Sequence, residues 1–159
     1  MIPGKKNKLF FFNLFIISIV LLPGCTQLDT FEKDTSIPKY EWKSSFAVTG
    51  SFSITDTASI YNAYIVLRHT DAYKYNNIWL NVGIQSPGDS IRYQKVNVEL
   101  GTDAEGWEGT GMNDIWEIRK HIFASPLKKP GTYNFSITQI MRDDPLPAMM
   151  SAGLRLEKQ

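Results

Sequence analysis

Residues 77–85 read NIWLNVGIQ, and the reading of this run decides the fold. Ile78, Leu80, Val82 and Ile84 recur at every second position. That two-residue period puts alternate side chains on one face of a β-strand, whereas a helix needs apolar residues three and four apart. Ser86-Pro87-Gly88-Asp89 follows as a turn, since Pro presets φ, Gly accepts a positive φ and Asp hydrogen-bonds its own backbone. Beyond it, 91–100 (IRYQKVNVEL) forms the next strand, with Val96, Val98 and Leu100 inward.

Working outward, the same pattern recurs on both sides. Residues 60–69 (IYNAYIVLRH) carry apolar side chains on both faces, as a central strand does. Trp42, Phe46 and Val48, then Phe52 and Ile54, predict one or two strands around Gly50. Residues 132–140 are another strand, and 152–157 close the chain. Six or seven strands with turns between them, in about 120 residues, predict an all-β fold. The expected architecture is an antiparallel β-sandwich, jelly-roll-like, occupying 40–159.

One interval breaks the rhythm. Between Gly101 and Gly131 the chain runs GTDAEGWEGTGMND, with four glycines in eleven residues, then IWEIRKHIF, then SPLKKPG. The expectation is one long glycine-rich loop, a length associated with function in compact domains. Its middle piece fits a short helix or a strand, because periodicity does not decide between them.

The N-terminus reads differently. Lys5, Lys6 and Lys8 precede a 14-residue apolar stretch, LFFFNLFIISIVLL (9–22), interrupted only by Asn13 and Ser18. This is the length of a signal-peptide core and short of the ~20 residues that span a bilayer as a helix. Leu22-Pro23-Gly24-Cys25 follows at once and matches a lipobox. Leucine fits the peptidase's apolar pocket, glycine leaves the scissile bond accessible, and the thiol accepts diacylglycerol by thioether formation. Residues 1–24 are therefore expected to be a signal peptide, with Cys25 the lipidation site. One acyl chain binds a membrane only marginally, so a stable anchor needs two or more, palmitate among them. The polar residues 26–39 read as a tether behind Cys25, ended by Pro38. Thr26 lacks the aspartate of inner-membrane retention, which points to the outer membrane.

Cys25 is the only cysteine, so no internal disulfide forms. Three of the 17 basic residues precede Cys25, so the mature chain sets 14 Lys and Arg against 16 Asp and Glu, a formal net charge of −2. Such a domain lacks the field that gathers polyphosphate, and nucleic acid is not an expected partner. His69 and His121 are the only histidines; no H-E-x-x-H and no G-x-S-x-G occurs. No catalytic residue, metal site or cofactor is implied. Asp103 with Glu105, and Asp143 with Asp144, read as solvated turns, and His69 as a satisfied structural histidine. Trp79, Trp107 and Tyr75 form the candidate binding surface, with Tyr73 nearby. They suit sugar rings or a partner's pocket, and Trp79 lies opposite Ile78 and Leu80 on its strand.

Several segments resemble the gliding-motility lipoprotein GldH family. They are the lipobox cysteine, Tyr61-Asn62 leading to Leu67-Arg68-His69, and Tyr75 followed by Asn77-Ile78-Trp79-Leu80. Gly106-Trp107 with Gly109 and Gly111, Gly131-Thr132-Tyr133, and Gln139-Ile140-Met141-Arg142 with Leu146 come next. Gly153-Leu154-Arg155-Leu156-Glu157-Lys158 closes the ordered set. The resemblance implies a non-enzymatic, outer-membrane-associated lipoprotein supporting cell-surface gliding beside the secretion and motility machinery. It transfers one residue, Cys25, and makes envelope and gliding-machinery proteins the expected partners. Two alternatives are a surface carbohydrate-binding module and a role in envelope assembly or export.

Overall fold

The computed structural model describes residues 30–159, and the expected signal peptide and Cys25 lie outside them. In chain order the strands are β1 (Thr30–Ser36), β2 (Glu41–Trp42), β3 (Val48–Ile54), β4 (Ile60–Thr70) and β5 (Asn77–Gln85). Then come β6 (Arg92–Glu99), β7 (Gly101–Thr102), β8 (Gly106–Trp107), β9 (Thr110–Met112) and β10 (Ile115–Pro126). The last three are β11 (Gly131–Gln139), β12 (Leu146–Pro147) and β13 (Met149–Lys158). Two antiparallel sheets face each other, as the alternation predicts. One orders β1-β13-β4-β10-β9 and the other β3-β11-β5-β6.

Their inner faces make one core. Ile78, Leu80 and Val82 from β5 meet Ile65, Leu67 and Leu154 from the opposite sheet, and all are buried. Burying side chains of this size contributes roughly 1.5–3 kcal/mol each. Central β4 is lined on its inner side by Ala63, Ile65 and Leu67, all fully buried. Val66 on the other side is also buried, which accounts for its two-sided apolar reading.

Two expectations are corrected. The tether expected over 25–39 does not extend so far, because Thr30–Ser36 is an edge strand paired in register from Thr30↔Glu157 to Ser36↔Ser151. Its attachment is largely by backbone, with Phe31 its one aromatic on the core and Glu32, Lys33 and Asp34 exposed, so the apolar signature is faint. Likewise the glycine-rich loop expected between Gly101 and Gly131 is mostly strand. Gly101 and Gly106 let β7 and β8 close into a tight pair, since a Cβ on Gly101 would lie 2.3 Å from the Gly106 carbonyl oxygen. The segment IWEIRKHIF belongs to β10, paired with β4 on one side and β9 on the other. A β-bulge between His121 and Phe123 shifts its register. Ahead of the bulge Ile115 stands on the opposite face from Ile118, so the spacing of Ile115, Ile118 and Ile122 by three and four residues imitates a helix.

The sandwich has two poles. Thr30, Tyr61 and Lys158 gather at one with the turn at Asp56. At the other lie Thr70 and Ile115, cross-strand partners beside the β9–β10 hairpin.

Candidate functional site

The outer surface of the four-stranded sheet follows from strand alternation. Opposite the core-facing residues, β3 presents Thr49, Ser51 and Ser53, and β11 presents Thr132, Asn134, Ser136 and Thr138. On β5 the outward set is Asn77, Trp79, Asn81, Gly83 and Gln85. No charged side chain stands on these three strands' outer face. Asn77 donates to Asn97 (2.7 Å) and Asn134 donates to Gln85 (2.9 Å). Each amide retains further donors and acceptors, since a primary amide offers two N–H groups and two lone pairs.

Two large aromatics stand on this surface. Trp79 is 43% exposed; its backbone N–H donates to Met141 Sδ (3.2 Å) and its carbonyl accepts from Ile140 (2.9 Å). Tyr93 on β6 is 53% exposed and pairs across with Gly83. A Cβ at Gly83 would lie 2.6 Å from the Tyr93 ring, so the ring rests in the notch that the missing side chain leaves. Trp79 is thus placed as expected, on a solvent-facing side of its strand.

Trp107 and Tyr75 are not. Trp107, on β8, packs against the core, with ring centroids 4.6 Å from His69 and 6.3 Å from Tyr73. Tyr75 is half-buried beside Tyr73 at 5.8 Å, and its hydroxyl donates to Asp143 (2.9 Å). These rings close the pole at the start of β5. They form no single surface with Trp79, because the β7–β8 hairpin folds Trp107 inward. Burial raises the Tyr73 phenol's pKa strongly, and the hydrogen bond to Asp143 raises that of Tyr75. His69 is fully buried, with Nδ1 2.9 Å from the Thr70 carbonyl and Nε2 lacking a partner. It is half satisfied, not fully as expected, and burial lowers its pKa.

The carboxylates serve local structure. Asp143 accepts from Tyr75, Asp144 from Ser44, and Asp103 from Asn76 (2.8 Å). Among the described residues no group of three or more His, Cys, Asp or Glu is placed to hold a metal. The outer face of the five-stranded sheet is a lattice of ion pairs. Arg155 bridges Glu32 and Glu157, each at 2.6 Å, and Glu117 bridges Arg68 (2.6 Å) and Arg119 (3.0 Å). The two outer faces are thus chemically unlike, one charged and paired, the other uncharged on β3, β11 and β5 and rich in hydroxyls and amides.

The model of the GldH lipoprotein family matches residues 29–156, from just before β1 to two residues before the end of β13. The chain belongs to that family. It is 26% identical to the gliding motility lipoprotein GldH of Flavobacterium johnsoniae, covering 92% of this chain and 96% of the relative. It is 25% identical to the gliding motility lipoprotein GldH homolog of Christiangramia forsetii, covering 91% and 93%. Among solved structures, the infectious bursal disease virus VP2 subviral particle aligns with 82% of this chain at 12% identity and a TM-score of 0.36. The chain spans about a third of that capsid protein, 32%, and so low a score carries no argument.

In this GldH-family chain the matched region opens one residue before β1. That agrees with Thr30–Ser36 belonging to the folded unit. Tyr93 is the surface residue that sequence reading missed. The available signal was Gly83, a glycine interrupting a clean alternation, which in a strand interior often marks a close approach by another group.

Proposed function

We propose that this chain is exported, cut before Cys25 and anchored through lipid on that thiol to the outer membrane. There its β-sandwich serves the gliding apparatus, or the surface-export machinery beside it, through contacts with envelope proteins and without catalysis. The observation carrying this reading is the family match over nearly the whole described domain, with relatives named gliding motility lipoproteins. The basic-then-apolar leader ending in Leu22-Pro23-Gly24-Cys25 supports the anchor.

The short link between anchor and fold adds a physical constraint. Cys25 and Thr30 are five residues apart, a span of at most about 18 Å. A lipid on Cys25 therefore holds the Thr30 pole close to the bilayer and turns the β9–β10 pole toward partners. Mass spectrometry of the mature N-terminus is expected to find a thioether-linked diacylglycerol on Cys25. Cys25→Ala is expected to release the protein from the membrane fraction and to abolish surface gliding. An unmodified thiol, an intact leader, or normal gliding by Cys25→Ala would overturn the proposal.

A further inference from the structure

We propose that the outer face of the β3-β11-β5-β6 sheet is a binding platform for an uncharged polysaccharide chain, with Trp79 and Tyr93 as stacking rings. This goes beyond the anchoring role and stands without it.

Three observations carry the inference. First, the outward residues of β3 and β11 are all Ser, Thr or Asn, and those of β5 add Asn81 and Gln85 without any charge. A solvated sheet face ordinarily mixes Lys, Arg, Glu and Asp, as the other sheet of this molecule does. Hydroxyls and amides in an ordered array, each able to donate and accept, match a ligand that presents hydroxyls along its whole length. Protein interfaces instead centre on desolvated apolar and aromatic cores, and covering so many polar groups without replacing their hydrogen bonds is costly.

Second, the aromatics sit where a chain crossing the face would meet them. Trp79 and Tyr93 pair across with Asn97 and Gly83, so their levels on the sheet differ by four residues of β5, about 13 Å at the rise of a strand. That separation suits an extended oligomer and exceeds what a single sugar ring bridges. Sugar rings offer C–H faces that stack on such side chains, while their hydroxyls reach the flanking amides.

Third, Gly83 is an expensive choice in a central strand, where glycine weakens the ladder and adds nothing to packing. Here it lets the Tyr93 ring lie against the backbone, since any Cβ would meet that ring at 2.6 Å. The notch holds the ring low on the face, where it is still 53% exposed. The only charges on this face, Lys95 and Glu99, lie on edge strand β6 and offset each other, so a polyanion gains nothing from the face as a whole.

The test uses the full-length protein in detergent and measures binding by calorimetry. The probes are neutral hexasaccharides of β-glucan, mannan and xylan, with an alginate hexasaccharide as the anionic control. At least one neutral probe is expected to bind and the alginate not to. Trp79→Ala and Tyr93→Ala are each expected to weaken binding roughly tenfold, the scale of one lost aromatic contact. Thermal melting checks that each variant remains folded, and Glu117→Gln on the charged sheet is expected to bind as the parent does. Gly83→Ala, which displaces the Tyr93 ring, is expected to weaken binding with Tyr93 still present. Absence of binding to every neutral probe, alginate binding equally well, or full affinity in folded Trp79→Ala and Tyr93→Ala variants would overturn the proposal. Loss of crosslinking to an envelope protein in those variants, without any glycan binding, would overturn it in favour of a protein partner.

Discussion

At Nε2 of His69 the fold leaves a buried ring nitrogen without a hydrogen-bond partner. Tyr73 and Trp107 pack against the imidazole at 5.6 and 4.6 Å, so the cluster is filled by rings that offer it no acceptor. Burial holds the pKa below 6.5, and the Thr70 carbonyl opposes that only in part. The sign of the consequence follows by linkage. Below about pH 6.5 the unfolded chain takes up a proton that the folded chain refuses, so stability falls with falling pH. Urea denaturation across this range is expected to show stability rising with pH until the unfolded histidine is neutral. In His69→Phe, which keeps a ring in the cluster, this increment is expected to vanish; an unchanged pH profile would refute the assignment. Gln139 illustrates the opposite outcome for a buried polar residue. Its amide donates to the Trp42 and Asp143 carbonyls, each at 3.2 Å, and accepts from Met141 N–H at 2.7 Å. It ties β11 to the short β2–β12 pair behind Trp79.

Among the elements, β1 is the one whose presence depends on its neighbour. It contributes Phe31 to the packing, pairs Glu32 with Arg155, and is otherwise held by its ladder to β13. The close approach requires Gly153, where a Cβ would lie 2.4 Å from the Lys33 carbonyl oxygen and 2.6 Å from Asp34 Cα. Both contacts are to backbone or its root, so no rotamer change relieves them. Gly153→Ala is expected to push β1 off the sheet and cost about 1–3 kcal/mol, the range for overpacked sites. Hydrogen exchange is expected to quicken in Thr30–Ser36 and its β13 partners, with β5 and β11 unaffected. Uniform exchange across both sheets would show that β1 is not separable in this way. Similar local reasoning accounts for β10, whose periodicity left helix and strand undecided. It lacks the strict alternation that made β5 legible, with Ile115 on the outer parity, Lys120 on the inner one and a bulge at His121/Phe123 beyond.

For the whole molecule the two poles matter most. Central β4 is 11 residues long, about 35 Å, so the β9–β10 hairpin stands well away from Thr30. With the lipid proposed at Cys25, a spin label replacing Asp56 is expected to lie within reach of the bilayer surface in liposomes. A label at Asn113, in the distal hairpin, is expected to be shielded from lipid-soluble relaxants and open to aqueous ones. Equal behaviour of the two labels would mean that the short link does not orient the domain. Such an orientation stands the neutral sheet face roughly along the membrane normal, accessible from the side.

The sequence by itself determined the fold class, because a two-residue apolar period is a local property and survives in β5, β6 and β11 without tertiary help. The leader and Cys25 were read from a linear string alone, and as an expectation they lie outside the described residues. Trp79 was placed outward by parity alone. Only the tertiary structure decided that Trp107 turns into the core, that Tyr93 lies over Gly83, and that residues 30–36 form a strand. The contacts that decide Trp107 and β1 join segments distant in the chain, and Tyr93 meets Gly83 only once β5 and β6 pair. Whether an aromatic faces water or a neighbour depends on which strand folds over it, and that information resides in packing.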